Sequence, residues 1–275
     1  MAITAQDVKR LREATGVGMM DCKKALTEAD GDFDAAIEIL RKKGEKVAAK
    51  RADRDATEGV VATATTDDGA AAAMVEVNCE TDFVARNDDF TSFAQRIAEL
   101  ALAERPADRD ALLALDLDGQ TVADAVTEKT GQIGEKIDVR RVAVLEATAG
   151  QIVDYIHPGA KLGVLVEMKG EGELEAAGRD VAMQAAAMNP LAARREDVPQ
   201  DVQDKEREIG REQAKAEGKP EQILDKIAEG KLNRFFKDNV LVEQPFVKDS
   251  SQTVQQMLQS QGAELVRFVR FALGG

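Results

Sequence analysis

Between residues 4 and 44, apolar positions recur every three or four residues, the spacing of one helical face. Thr4, with Asp7 three positions on, reads as a helix start, followed by Val8, Leu11 and Ala14. The two glycines of Thr15-Gly16-Val17-Gly18 end that helix in a turn. Met19 to Ala29 reads as a second helix, closed by Asp30-Gly31. Asp32 is placed to cap a third, whose face carries Phe33, Ala36, Ile37 and Leu40 and which Gly44 is expected to end. Three short helices make a small bundle, and the charged, Ala-rich residues 45–56 read as a helical linker.

The period then changes to two. After Gly59, residues Val60, Ala62 and Ala64 fall on one face of a strand and Val61, Thr63 and Thr65 on the other. Asp67-Asp68-Gly69 is a hairpin signal, and Ala71 to Val77 returns as a second strand. That strand delivers a polar stretch, Asn78 to Phe90, and a helix that ends before Pro106. The same order recurs later: a strand Gln151 to Ile156, a turn His157-Pro158-Gly159-Ala160, a strand Leu162 to Met168, and a helix Leu174 to Met188 stopped at Asn189-Pro190. The ends correspond as well. Thr121-Val122 starts a helix leading to Val139–Val144, and Thr253-Val254 one leading to Val266–Phe271. The pattern implies an internal duplication of a strand-strand-helix-helix-strand unit, hence an α+β fold.

One copy carries an insertion. Between Val198 and Gly230, Val202, Ile209 and Ala216 recur at every seventh residue, Gly218-Lys219-Pro220 breaks the pattern, and Ile223, Leu224 and Ile227 mark a return helix. So thin an apolar seam predicts a protruding, mostly solvated antiparallel helical hairpin. The expected division is a helical bundle with linker over 1–54, a first core subdomain over 55–148, and a second over 149–275 with the hairpin at about 198–230.

Composition narrows the function. With 275 residues and 44% hydrophobic content the chain can bury more than one core. Its net charge of -14 argues against nucleic-acid binding. Residues 1–54 hold 12 Lys and Arg against 10 Asp and Glu, so this end is slightly basic on an acidic chain, which hints at a module with its own partner surface. Cys22 and Cys79 read as reduced thiols, and the start Met1-Ala2-Ile3-Thr4-Ala5 shows no signal peptide. With no apolar run near the ~20 residues of a membrane span, the expectation is a cytoplasmic protein without a membrane partner.

Catalytic patterns are missing too. There is no Gly-x-x-x-x-Gly-Lys-[Ser/Thr] phosphate loop, no Cys-x-x-Cys or His-Glu-x-x-His, and a single histidine, His157. Glu80 and Asp82 could form an acid/base pair, but such pairs arise by chance among 51 acidic residues. No metal, no cofactor and no enzymatic chemistry are expected.

What remains is the stretch Asn78-Cys79-Glu80-Thr81-Asp82-Phe83-Val84-Ala85-Arg86-Asn87-Asp88-Asp89-Phe90. It lies on a strand-to-helix connection, where function concentrates. It carries Phe83 in a chain with only 4% aromatic residues. On its residues alone, Phe83 is either core or a partner contact, Asp82 reads as a helix N-cap, Cys79 as a small buried residue, and Asn78, Arg86 and Asn87 as loop-fixing hydrogen-bonders. Met19 and Met20 are likewise either bundle core or adaptable thioethers for a partner.

The run Glu80-Thr81-Asp82-Phe83-Val84-Ala85-Arg86-Asn87 closely resembles the signature of the elongation factor Ts family, and the resemblance extends from about Thr4 to Gly274. It implies a ubiquitin-associated-like N-terminal bundle, a core of two similar α+β subdomains and a coiled-coil hairpin. The implied partner is elongation factor Tu, and the implied activity is guanine-nucleotide exchange. The resemblance places Arg12, Met19, Met20 and Lys23 against the partner's G domain. It places Asp82 and Phe83, within Thr81–Val84, near the partner's magnesium site with the ring inserted between helices. Ile133, Gly134 and His157 match further contacts. A homodimer or a two-plus-two complex with the partner is compatible with this picture. The sequence stops at Gly274-Gly275, where longer members continue into a helical tail. The competing reading is an interaction scaffold that tethers a partner without changing its nucleotide kinetics.

Overall fold

The computed structural model describes residues 3–274; Met1 and Ala2 of the N-terminal reading, and the terminal Gly275, lie outside them. The Asp7 amide donates to Thr4 Oγ1 and the Thr4 amide to the Asp7 carboxylate, closing a capping box on α1 (Ala5–Thr15). α2 (Met19–Glu28) follows, then α3 (Phe33–Arg51), whose Ala35 amide donates to the Asp32 cap at 2.9 Å. Val8, Leu11, Cys22, Ala25, Leu26, Ala36 and Leu40 form the bundle's core.

Two expectations fail here. Gly44 does not end its helix; α3 runs on to Arg51 and takes in most of the expected linker. Gly44 is buried where α3 crosses α7 (Val122–Ile133), and its Cα lies 2.4 Å from where a Cβ on Gly131 would sit. Two glycines let the backbones touch, so a residue that reads as a breaker is a packing contact. Ile37 is exposed and faces the cleft between bundle and α7, outside the bundle core.

The first half of the core comprises β1 (Glu58–Thr65), β2 (Ala71–Cys79), α4 (Asp82–Ala85), α5 (Asp88–Glu104), α6 (Arg109–Leu113), α7 and β3 (Asp138–Glu146). Its antiparallel sheet has the order β1-β2-β3. The second half comprises β4 (Gln151–Ile156), β5 (Leu162–Gly170), α8 (Leu174–Met188), α9 (Gln200–Ala216), α10 (Glu221–Asn239), a ribbon of β6 (Pro245–Phe246) and β7 (Asp249–Thr253), α11 (Val254–Ser260) and β8 (Ala263–Ala272). Its main sheet repeats the order as β4-β5-β8. The α+β class and the repeated unit follow directly.

Strand alternation sorts the layers. Val60, Ala62 and Ala64 join Phe90, Phe93 and Ile97 of α5 in one core, while Val61 points the other way. Val61, Ala72, Met74 and Leu145 meet Ile152, Leu165 and Phe271, so the two sheets pack face to face with helices outside. Two charges are buried in this middle layer. Glu76 on β2 pairs with Arg141 on β3 at 2.7 Å, and Glu167 on β5 with Arg267 on β8 at 2.6 Å. A register shift follows each glutamate. Each arginine also crosses to the other half: Arg141 donates to the Ala272 carbonyl at 2.9 Å and Arg267 to the Glu146 carbonyl at 2.8 Å. Gly59 and Gly150 occupy equivalent places, with φ of +146° and +82°. A Cβ at either would fall 2.2 or 2.1 Å from the carbonyl oxygen of Val77 or Met168.

The hairpin is present, but its seam and its end differ from expectation. α10 runs through the exposed Gly230 to Asn239, because Leu232, Phe236 and then Val240 pack on Ala192 and Val198. The buried seam is Gly210 and Ala214 against Leu224 and Ala228; Ala216 and Ile223 are exposed. A Cβ on Gly210 would sit 3.3 Å from the Ala228 Cα. Small residues bring these helices together, and a hydrophobic period does not register glycine. Arg207–Glu229 at 3.3 Å and Arg211–Asp225 at 3.1 Å edge the seam. Among the described residues no helix is long and apolar enough to cross a membrane.

Candidate partner-binding surface

β2 ends at Cys79, and the chain leaves the sheet through Glu80 into the single turn α4. Thr81 caps this turn, with the Val84 amide donating to its Oγ1 at 3.4 Å. Thr81 is itself fixed: its amide and hydroxyl donate to the Glu135 carboxylate at 3.0 and 2.8 Å. Asp82 is therefore not the N-cap its type suggests. It is the first residue of the turn and pairs with Arg86 at 3.1 Å along the surface. Ala85 is buried and Val84 is half-buried against the core, which turns Phe83 outward to 84% exposure. The core reading of Phe83 fails because the inward positions are taken by Val84, Ala85 and the fully buried Phe90.

Glu80 anchors the turn from behind. Arg51 Nη1 donates to its two oxygens at 2.7 and 2.8 Å, and the Lys136 amide donates at 2.7 Å. The Lys136 amide, helped by Arg51, outweighs desolvation and holds the Glu80 carboxyl below the usual range. With Glu80 so engaged and Asp82 paired to Arg86, the two do not form an acid/base pair. Asn78 is buried and donates to the Glu58 carbonyl at 3.2 Å, and Asn87 caps α5 by accepting the Asp89 amide at 2.8 Å.

Cys79 donates its thiol to the Thr81 carbonyl at 3.2 Å. Burial, with the nearby Glu135 charge, pushes this thiol up to about 12. The folded state thus favours the neutral thiol, a contribution complete below the unfolded pKa of about 8.5 and lost as pH rises towards the folded value. Cys22 is buried as well. The native protein at pH 8 is expected to resist iodoacetamide at both cysteines and to react at both once unfolded, as read by mass spectrometry.

On α2, Met19 is 41% and Met20 65% exposed, so neither fills the bundle core; Arg12 and Lys23 are exposed too. At about 100° per residue, Met19, Lys23 and Met20 occupy a continuous arc beside the buried Cys22 and Leu26. The turn before them touches α7: Gln132 side-chain atoms lie 3.4 Å from where a Cβ on Gly16 would sit. Ile133 is half-buried, and Gly134, at φ +81°, caps α7 just before Glu135. His157 is exposed, with Nδ1 2.9 Å from Tyr155 Oη. Its turn rests on β1, the Val61 amide donating to the Ala160 carbonyl at 2.7 Å and Lys161 pairing with Glu58 at 2.6 Å.

The structure therefore brings Thr81–Val84, Ile133–Gly134 and the turn of His157 to one end of the first sheet. The α1–α2 turn comes to the C-terminal end of α7 beside them. Sequence reasoning missed Arg51, Glu135 and Lys136, the side chains and amide that hold the turn. Among the described residues, no group of three His, Cys, Asp or Glu side chains is placed to hold a metal ion.

The chain is similar to known proteins over nearly its whole length. The family model described as Elongation factor TS matches residues 80–275, beginning at the anchoring Glu80. Elongation factor Ts of Christiangramia forsetii is 52% identical over 275 residues, 99% of each chain. That of Amoebophilus asiaticus is 52% identical over 281 residues, the whole of both chains, and that of Prosthecochloris aestuarii is 49% identical over 284 residues, 99% of each. These relatives also span the bundle, which the family model leaves out. On both grounds, the chain belongs to the elongation factor Ts family.

Proposed function

We propose that this translation elongation factor binds elongation factor Tu in its GDP-bound state and speeds GDP release by inserting Phe83 beside the partner's magnesium and phosphate site. The observation that carries the proposal is an aromatic ring 84% exposed on a turn anchored by Glu80 and Thr81. An isolated surface phenylalanine needs no explanation. One held by this many hydrogen bonds at its base is a preorganised projection.

No acid, base or metal is required of such a protein. It must bind nucleotide-free elongation factor Tu more tightly than the nucleotide-bound form, and by linkage nucleotide then weakens the complex by the same factor. GDP is held by phosphate-loop amides and a magnesium ion. A ring driven between the surrounding helices displaces those groups, and the Asp82 carboxylate beside it adds repulsion towards the phosphates. Arg12, Met19, Met20 and Lys23 supply a second contact, for which flexible thioethers suit an irregular surface. Ile133, Gly134 and His157 extend the first.

The test is stopped-flow release of a fluorescent GDP analogue from purified elongation factor Tu into excess unlabelled GDP. The expected result is a rate that rises with the concentration of this chain and saturates. An unchanged rate, with the complex still formed on gel filtration, would leave a tether and overturn exchange.

A further inference from the structure

We propose that Arg51, Glu80 and Lys136 form a clamp that makes the N-terminal bundle and the Phe83 turn one rigid unit, with Arg51 and Glu80 acting as positioning residues for the ring. α3 begins in the bundle and ends at the turn. Its 19 residues span about 28 Å. It meets the core along α7 and again at its C-terminal end. Midway, Gly44 crosses Gly131 of α7 at backbone contact. At its end, Arg51 grips Glu80, the residue before the Thr81 cap.

Lys136 locks this second point from both sides. Its amide donates to Glu80, while its ammonium donates to the Ala52 carbonyl at 2.7 Å and the Arg54 carbonyl at 2.9 Å. Those carbonyls follow the last turn of α3, where a helix end leaves acceptors unsatisfied. The next residue back, Glu135, holds Thr81. One dipeptide thus ties the helix end to the base of the projecting ring. The pair is also sheltered: the Glu80 side chain is 16% exposed and that of Arg51 34%. Charge-assisted bonds kept from water hold geometry better than surface pairs.

The consequence rests on the exchange reading above. Two contact surfaces fixed at one spacing meet a partner together, without a separate ordering cost for the second. With the clamp gone, α3 keeps its packing on α7 around the Gly44–Gly131 crossing, but its C-terminal end is no longer tied to the turn. The bundle still docks, but the ring arrives misplaced.

The test uses the full chain with nitroxide labels at Lys24→Cys and Asp88→Cys, both exposed and outside the proposed contacts, and with Cys22 and Cys79 buried in place. Pulsed electron–electron resonance reads the distance distribution, and stopped-flow GDP release is titrated with each variant. Arg51→Met is expected to broaden the distribution and to lower the saturating release rate about tenfold, while the half-saturating concentration moves less than about twofold. Arg51→Lys should restore most of both, because a single Arg51 nitrogen makes both contacts. Lys136→Met, which keeps the amide bond to Glu80, should shift both readouts in the same direction and guards against misfolding of one variant. A distribution as narrow in Arg51→Met and Lys136→Met as in the wild type overturns the clamp, and a broadened one with an unchanged saturating rate overturns its positioning role. If the wild type itself fails to accelerate release, the exchange reading falls and the distances alone decide the clamp.

Discussion

Replacing Phe83 by alanine is expected to cut the acceleration of GDP release from elongation factor Tu by about 10- to 150-fold, with the fold unchanged. The range follows from the roughly 1.5–3 kcal/mol that a phenylalanine side chain gains on leaving water, at about 1.4 kcal/mol per tenfold. The free protein should not notice the change. The ring is 84% exposed, so truncation removes little internal packing, and stability should stay within about 0.5 kcal/mol of the wild type. Thermal unfolding by circular dichroism checks the second half of the expectation and stopped-flow release the first.

That separation is what makes the variant informative. Phe90 lies in the same segment and is fully buried, so any loss seen on truncating it would confound folding with binding. Phe83 has no such ambiguity, because Val84 and Ala85 rather than the ring anchor its turn. Acceleration retained by a folded Phe83→Ala protein would move the insertion to another group, with the exposed Met20 the next candidate by size and exposure.

The elements legible in the sequence are those whose causes are local. Thr4, Asp32, Thr121 and Thr253 each cap the helix they precede, because a side-chain oxygen needs only the amides two or three residues on. The helix Leu174–Met188 is found with both ends as expected, since Asn189-Pro190 stops it. Gly44 reads as a helix end but is not one, and Gly210 carries no signal in an apolar period. What a glycine does inside a helix depends on the backbone opposite, here Gly131 and Ala228, and no local pattern carries that. Ile37 and Ala216 show the converse: a periodic apolar residue implies a face, but a partner must still arrive to cover it.

The candidate site divides along the same line. The residues from Thr81 to Val84 stand in one recognisable run. Their supports come from 29 and 54 positions away, as Arg51 does for Glu80 and Glu135 for Thr81. In a chain that is 32% charged, nothing marks those residues out. Glu76, which lies outside the candidate site, does leave a mark in the sequence. It interrupts the apolar run of β2, Glu167 does the same in β5, and each follows its glycine, Gly59 or Gly150, by the same number of residues.

Those two glutamates carry the second large expected effect. Arg141→Met should cost about 3–5 kcal/mol, and lower the apparent Tm by roughly 6–20 °C, because it leaves Glu76 charged and buried without its closest partner. Arg140, at 3.9 Å, is then the nearest cation to a carboxylate whose Oε1 accepts no hydrogen bond. Arg267→Met should cost less, since Glu167 keeps the amide and hydroxyl of Thr148, both at 2.6 Å. Replacing each pair by two methionines should recover most of the loss, an apolar pair of similar volume being close to neutral.

The pH dependence separates charge from packing. Desolvation pushes the Glu167 carboxyl up, but Thr148 and Arg267 together outweigh it and hold it below the usual range. In the wild type its contribution is therefore present above the unfolded pKa of about 4.3 and is lost as pH falls through the folded value. In Arg267→Met the balance shifts towards desolvation, so a proton taken up in acid relieves the buried charge. Both changes act in one direction: the stability gap between wild type and Arg267→Met should narrow as pH falls from about 7 to 4 in urea titrations. A gap that stays constant would assign the loss to the arginine stem and its bond to the Glu146 carbonyl. In that case the pair joins the two halves by packing, and its charge is incidental to holding the Phe83 turn and the turn of His157 at one end of the first sheet.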